Sequence, residues 1–183
     1  MMSKNSHVQD KCDKSELTRL LLREHSKANS MEVVQLLESG KASLRDLIQL
    51  FSSNDKLIAQ RASTTVNHYF SRHTDEITSC MDIFLEAMDR SIHPSIRRNV
   101  MRLLQFVDIP EQYRAPILNR AYEYLLNPKT PIAVQVFSLQ VIANISQNHQ
   151  DLKAELLSAL DIIEQPSCAL EARVKRVIKQ LNI

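Results

Sequence analysis

The stretch that decides the fold is residues 81–107, MDIFLEAMDRSIHPSIRRNVMRLLQFV, which predicts two amphipathic helices joined by a short turn. Its second half carries one apolar stripe at helical spacing, formed by Ile96, Val100, Leu103, Leu104 and Val107. Pro94 stands where the first residue of that helix is expected, because the fixed φ of proline suits the first helical position. This stretch therefore predicts a helical hairpin.

The same stripe recurs along the chain. The other three copies are Ile58, Ala62, Thr65, Val66 and Tyr69; Val134, Ser138, Val141, Ile142 and Ile145; and Leu170, Val174, Val177, Ile178 and Leu181. Successive copies start 38, 38 and 36 residues apart. A further amphipathic segment lies between each pair of copies, at 75–89, 111–127 and 150–164. A nearly constant period with two helices in each repeat indicates an α-solenoid.

The composition supports an all-α chain. Among 183 residues, of which 44% are apolar and 24% charged, Gly40 is the only glycine. Loops that bind phosphate and tight hairpin turns depend on glycine, because it lets the backbone approach a ligand or take positive φ. The chain therefore lacks a Walker loop, a Rossmann fingerprint and a nucleophile elbow.

Residues 81–107, with Asp89 in the turn and Ile96-Arg97 opening the second helix, resemble a HEAT repeat. The resemblance implies an all-α fold: a right-handed α-α superhelix, or HEAT/armadillo-like solenoid, of stacked helical hairpins. The segments 96–110 and 125–145 also resemble a small HEAT-like family of Bacteroidetes bacteria, some of whose members carry the name adenylosuccinate lyase. The signature segment of that lyase superfamily contains glycine and is absent from this chain, so we do not expect lyase activity.

The predicted organisation is a flexible polar tail at 1–14 and one HEAT-like domain at 15–183. Within the domain, 15–54 is a divergent helical cap and 55–183 carries the repeats, since terminal repeats must cover an open core edge. Ser15, Ser30 and Ser43 are the candidate helix caps of the first part. The tail has no apolar core typical of a signal peptide, and no segment has the roughly 20 apolar residues of a membrane span, so we expect a cytoplasmic protein.

Charge is segregated by position in the repeat. The first helices, 75–90, 111–127 and 150–164, carry a total formal charge of −7. The second helices, 55–73, 94–107, 131–146 and 167–181, carry +8. In proteins that resemble HEAT arrays, the second helices line the concave side, so the resemblance implies a basic concave surface.

Helical geometry identifies the residues opposite each apolar stripe. When the four copies are aligned on their stripes, residues at the same position in different copies form what we call a column. The predicted groove or partner-binding residues are Gln60, Thr64, Asn67, Arg98, Arg102, Gln105, Gln140, Arg176 and Lys179; Val136, Ala143 and Ala172 occupy the same columns. Every charged residue in this set is a cation, although an ordinary solvated face remains an open alternative. Arg61, Arg97 and Arg173 lie beside the set and are expected to form intramolecular ion pairs, Arg97 with Asp89 in particular.

No catalytic, cofactor-binding or metal-binding residues are predicted. The six histidines form no HExxH motif, and Cys12, Cys80 and Cys168 form no CxxC pair. A reduced thiol in the core is the expected role of Cys80. The predicted groove also lacks Asp, Glu, Ser and Cys, so it has no candidate nucleophile or general base.

The sequence favours a non-catalytic scaffold whose basic concave surface binds a protein partner, either an acidic segment or an amphipathic helix. The alternative is binding of a nucleic-acid backbone in the same groove. DNA glycosylases of the HEAT-like type use a basic groove together with a carboxylate and aromatic side chains. This chain has no Trp and no carboxylate among the predicted groove residues, so base excision is not expected. A lyase is the least favoured function, and we expect neither a small-molecule substrate nor a membrane partner.

Overall fold

Within residues 12–90 and 93–183, which the computed structural model describes, the chain is helical and contains no β-strand. The helices are α1 Lys14–Arg23, α2 Lys27–Glu38, α3 Leu44–Phe51, α4 Lys56–Phe70, a 3₁₀ helix Thr74–Cys80, α5 Met81–Arg90, α6 Pro94–Leu104, α7 Glu111–Leu126, α8 Ile132–Ser146, α9 Gln150–Asp161 and α10 Cys168–Leu181. The all-α prediction is confirmed. Residues 1–11 of the predicted tail lie outside the described residues.

The chain divides into two compact units, 1–69 and 70–183. In the first unit, α1 packs against α2 and α3. Its core includes the fully buried side chains of Leu17, Val33 and Leu47, one from each of these helices. Apolar residues at helical spacing thus place one face of each helix in a shared interior.

In the second unit, α8 is the central helix. It packs against α7, which precedes it in the same hairpin, and against α6 and α10, the second helices of the neighbouring hairpins. The predicted stripe of α8 is buried along its whole length, from Val134 to Ile145. The α6 stripe is buried from Ile96 to Leu104, and Val107, beyond the end of α6, is partly exposed. The stripes predicted on α6 and α8 therefore form a large part of the core of this unit.

The structure corrects two of the three predicted helix caps in the first unit. The N–H of Glu16 donates to the Asp13 side chain at 2.8 Å, so Asp13 and not Ser15 caps α1. Ser26 caps α2, while Ser30 lies buried inside that helix. The predicted Ser43 cap is confirmed, since the N–H of Asp46 donates to its hydroxyl at 3.4 Å. Each of these caps satisfies an N–H that has no partner within its own helix.

Three prolines of the second unit lie at different places relative to its helices. Pro94 is the first residue of α6, as predicted. Pro131 comes one residue before α8, and no side chain in the described part of the chain caps that helix. Pro116 lies inside α7, which begins five residues earlier at Glu111. The segment predicted as one helix at 75–89 is instead a 3₁₀ helix followed by α5.

Candidate binding surface

The second helices of the second unit form a row, α6–α8–α10, and polar side chains cross from one helix to the next on one side of it. Asn144 on α8 donates to the backbone oxygen of Gln105 at the end of α6, at 2.9 Å. Gln140, one turn earlier on α8, donates to the side-chain oxygen of Gln180 on α10, at 2.8 Å. These bonds join α8 to each of its two neighbours in the row.

We call four cations on the two outer helices of the row the basic surface: Arg98 and Arg102 on α6, and Arg176 and Lys179 on α10. The two arginines of α6 precede Gln105 by seven and three residues, which places all three on one helical face. On α10, Arg176 precedes Gln180 by four residues, and Lys179 follows Arg176 by three. All four cations are exposed.

The remaining predicted groove residues are placed differently. Gln140 and Gln105 are partly exposed, and the amide of Gln105 donates to the backbone oxygens of Met101 and Arg102 at its own helix end. Gln60 and Thr64 are partly exposed on α4, in the first unit. Asn67, also on α4, is only 5% exposed. We therefore restrict the basic surface to the second unit.

The α8 helix carries small apolar residues where α6 and α10 carry cations. Ala143 occupies the column of Lys179 and is 0% exposed. Val136, in the column of Arg98, is 9% exposed. Because α8 has a helix on either side, these positions are covered, and the two pairs of cations flank a strip without charge.

Arginines on the first helices of the same unit are used internally. Arg90 pairs with Glu86 at 3.7 Å on α5. On α7, Arg120 bonds to Asp89 of α5. Arg114, also on α7, bonds to Glu111 and lies 3.7 Å from Asp108. By contrast, none of the four cations of the basic surface forms an ion pair with any residue in 12–90 or 93–183.

A network of amides links α8 to α10 beside the basic surface. Gln140 donates to both Asn144 and Gln180, each at 2.8 Å. Gln180 in turn donates to Asn144 and to Gln147, each at 3.2 Å. One end of the network is charged, because Arg173 Nη1 donates to the Gln140 oxygen at 2.7 Å. Such side-chain networks hold their members in fixed orientations.

Arg173 is partly buried, and its surroundings disfavour its charge. Removal of the guanidinium from water lowers its pKa, and the positive charge of Arg176 lowers the pKa further. The predicted intramolecular ion pair of Arg173 is replaced by the bond to the neutral Gln140 amide.

A separate cleft of about 610 Å³ lies between the α7–α8 and α9–α10 connections. Its walls include the exposed apolar side chains of Leu126, Ile132 and Ile162. Glu164 is its one charged lining residue. The cleft lies at the start of α8, whereas Asn144 anchors Gln105 near the end of that helix. This lining is not suited to an anionic ligand.

The part of the chain that the structure describes contains no cluster of three or more His, Cys, Asp or Glu side chains able to hold a metal ion. None of its helices combines the length and apolar character needed to cross a bilayer. Cys80 is buried, as predicted, and burial raises the pKa of its thiol. Cys12 and Cys168 are also free thiols.

The sequence profile of the HEAT repeat domain matches residues 17–181, which is nearly the whole chain. The chain belongs to the HEAT repeat family. No curated protein and no solved structure matches it. HEAT repeats are generally non-catalytic and commonly mediate protein interactions.

In the HEAT repeat made of α5 and α6, the predicted ion pair between Arg97 and Asp89 is wrong. Asp89 bonds instead to Arg120 of the following HEAT repeat. Arg97 donates from Nε to the Met88 backbone oxygen at 3.3 Å, and its guanidinium lies 5.2 Å from the centre of the Tyr124 ring. Arg120 lowers the pKa of Asp89, and the charge of Arg97 adds a smaller contribution.

The next HEAT repeat, α7 and α8, uses the same column in the same way. Gln135, 38 residues after Arg97, donates to the backbone oxygen of Asn127 at 3.2 Å. In both repeats, a polar side chain near the start of the second helix satisfies a carbonyl at the end of the first. Sequence reasoning missed this role, although the recurrence of a long hydrogen-bond donor in this column was a signal for it.

Proposed function

We propose that this HEAT repeat protein is a non-catalytic scaffold that binds an acidic segment of a protein partner at the basic surface, Arg98, Arg102, Arg176 and Lys179. The observation that carries the proposal is the contrast between paired and unpaired cations in one unit. Arginines on α5 and α7 have carboxylate partners in the chain, whereas the four cations on α6 and α10 have none among the described residues.

The chemistry of the surface fits recognition better than catalysis. Its cations stand on packed helices and flank the uncharged strip of α8, and the amides beside them are held in a network. Neither Asp, Glu, Ser nor Cys belongs to it, so it offers no general base and no nucleophile. Complementary charge at such a surface accelerates association and discriminates against partners of the wrong sign.

The direct test is the fluorescence anisotropy of a labelled deca-glutamate peptide, with deca-glutamine as the neutral probe. We expect the glutamate peptide alone to bind. Charge reversal by Arg102→Glu with Arg176→Glu should weaken binding at least about tenfold, equivalent to about 1.4 kcal/mol. Lys41→Glu with Lys129→Glu is the matched control, because both lysines are exposed and the net charge changes equally. Equal losses in the two double variants would contradict the proposal.

The nucleic-acid alternative is tested with the same variants and a 20-base-pair duplex. Four cations that neutralise phosphates predict a slope of log affinity against log salt of roughly −3 to −4. Duplex binding with that slope, together with failure to bind deca-glutamate, would replace the acidic protein segment by a nucleic-acid backbone. Release of fumarate from adenylosuccinate would overturn the non-catalytic assignment, and we expect none.

A further inference from the structure

One cation near the basic surface differs from the four that define it. Arg173 on α10 is partly buried, whereas the four are exposed. Among the residues that the structure describes, Arg173 bonds only to a neutral amide, from Nη1 to the Gln140 oxygen at 2.7 Å. Within residues 12–90 and 93–183, it forms no ion pair. A guanidinium has five N–H donors, so most of the hydrogen-bonding capacity of Arg173 is not used by this contact.

The positive charge of Arg173 is only partly stabilised by the protein in this position. Burial removes water that would stabilise the charge, and a neutral amide replaces only part of what is lost. Arg176 lies one turn further along the same face of α10, so its like charge adds repulsion. A single carboxylate between the two guanidinium groups would relieve both costs.

The side chain of Arg173 is also oriented in advance. Gln140 accepts from Arg173 while it donates to Gln180 and Asn144, so the acceptor atom is held from two helices. A ligand would therefore lose little binding free energy to ordering of this arginine. Charge-assisted bonds to a carboxylate are about twice as strong as neutral ones, and arginine can form two of them in parallel.

We propose that Arg173 and Arg176 form a carboxylate-binding clamp, held in place by Gln140, that anchors the acidic partner on the basic surface. This inference rests on the proposed function and names the point at which the partner is held. Arg173 provides the oriented, partly desolvated contact, and Arg176 completes it from the exposed side. The other three exposed cations, Arg98, Arg102 and Lys179, then attract the partner without fixing its position.

The sharpest test places a carboxylate inside the protein. Gln140→Glu keeps the size of the side chain and puts an anion next to Arg173 Nη1, so the clamp becomes occupied internally. We expect this variant to lower the affinity for deca-glutamate about tenfold or more. Gln147→Glu is the matched control, because it adds the same charge one residue after the end of α8 and keeps an acceptor for Gln180 but has no hydrogen bond with Arg173. It should weaken binding much less.

Two arginine variants test the clamp without a new carboxylate. Arg173→Gln should weaken binding about as much as Gln140→Glu does. Arg173→Lys keeps the charge but cannot form parallel bonds, so it should restore only part of the affinity. Full affinity in Arg173→Gln, or equal losses in Gln140→Glu and Gln147→Glu, would overturn the clamp while leaving the proposed function intact. If the unmodified protein binds no acidic probe, the proposed function itself fails.

The carboxylate can come from a side chain or from the end of a chain, and two probes separate these sources. One is deca-glutamate with an amidated C-terminus, and the other is deca-glutamine with a free C-terminal carboxylate. We expect the first to bind and to be sensitive to Arg173→Gln. Binding of only the second, with the same sensitivity, would reassign the clamp to a chain terminus and overturn recognition of an acidic segment.

Discussion

The two rows of helices in the second unit use arginine for different purposes. On α5 and α7, Arg90, Arg114 and Arg120 all pair with carboxylates from their own or a neighbouring element. On α6 and α10, Arg98, Arg102 and Arg176 are exposed and have no ion pair with the described residues. The difference shows that formal charge alone does not identify a binding surface. What matters is whether the chain already supplies the counter-charge.

A second contrast lies within the row of second helices. The same column holds Lys179 on α10, which is exposed, and Ala143 on α8, which is fully buried. The central helix has neighbours on both sides, so position 143 is covered and accommodates only a small apolar side chain. Cations therefore occur only on the two outer helices of this row.

Ala143→Lys should have the largest effect on stability, because it brings a cation into the covered flank of α8. The ammonium group would lose its water without gaining a carboxylate. We expect the free energy of unfolding to fall by about 3 kcal/mol, with part of the cost avoided if the long side chain reaches solvent. Urea denaturation followed by circular dichroism measures this loss.

Lys179→Ala is the counterpart in the same column. Its exposed position predicts a change of less than about 0.5 kcal/mol. A comparable loss in the two variants would show that positions 143 and 179 do not differ in burial. The contrast between α8 and α10 would then fail.

The adjacent pair Arg97 and Arg98 should give the next largest difference. Arg97→Ala removes the bond to the Met88 carbonyl and the contact with the Tyr124 ring, so we expect a loss of about 1–2 kcal/mol. Arg98→Ala should leave stability within about 0.5 kcal/mol and should weaken binding of deca-glutamate. Unfolding curves and anisotropy on the same two variants separate these roles. A destabilised Arg98→Ala protein would contradict the assignment of Arg98 to the basic surface.

Sequence alone predicted the elements of the fold closely, because helix periodicity and proline positions are local signals. The stripe beginning at Val134 defines α8, and Pro94 starts α6 as expected. The caps were harder to predict. Asp13 and Ser15 are both good cap residues two positions apart, and local preferences scarcely separate them.

The side-chain partners could not be predicted, because they depend on how the hairpins pack. Asp89 and Arg120 are 31 residues apart, and Gln140 and Gln180 are 40 apart. Helical spacing identifies a face but not the neighbour that meets it. The burial of Ala143 had a visible signal, since a small apolar residue stood in a column that holds Lys179 on α10. That signal could be interpreted only once α8 was known to be central.

Among the variants expected to destabilise the fold, loss of the ion pair between Asp89 and Arg120 should have the smallest effect. It is therefore the most demanding test of the helices whose arginines are paired. Both side chains are partly solvated, so Asp89→Asn should lower the free energy of unfolding by no more than about 1 kcal/mol at neutral pH. Arg120 lowers the pKa of Asp89 in the folded state. The stabilisation is therefore fully present above the unfolded-state pKa, and it disappears as the pH falls through the folded-state value.

Urea unfolding of both proteins from neutral pH into the acid range measures this dependence. The difference between them should begin to shrink below about pH 4, where a free aspartate takes up its proton. Asp161→Asn is the control, since this exposed aspartate on α9 has no ion pair with the described residues and its replacement should change stability by less than about 0.5 kcal/mol. A difference for Asp89→Asn that stays constant with pH would mean that its carboxylate charge does not stabilise the fold. The division between helices whose arginines have carboxylate partners and helices whose arginines do not would then hold for the geometry but not for the stability of the fold.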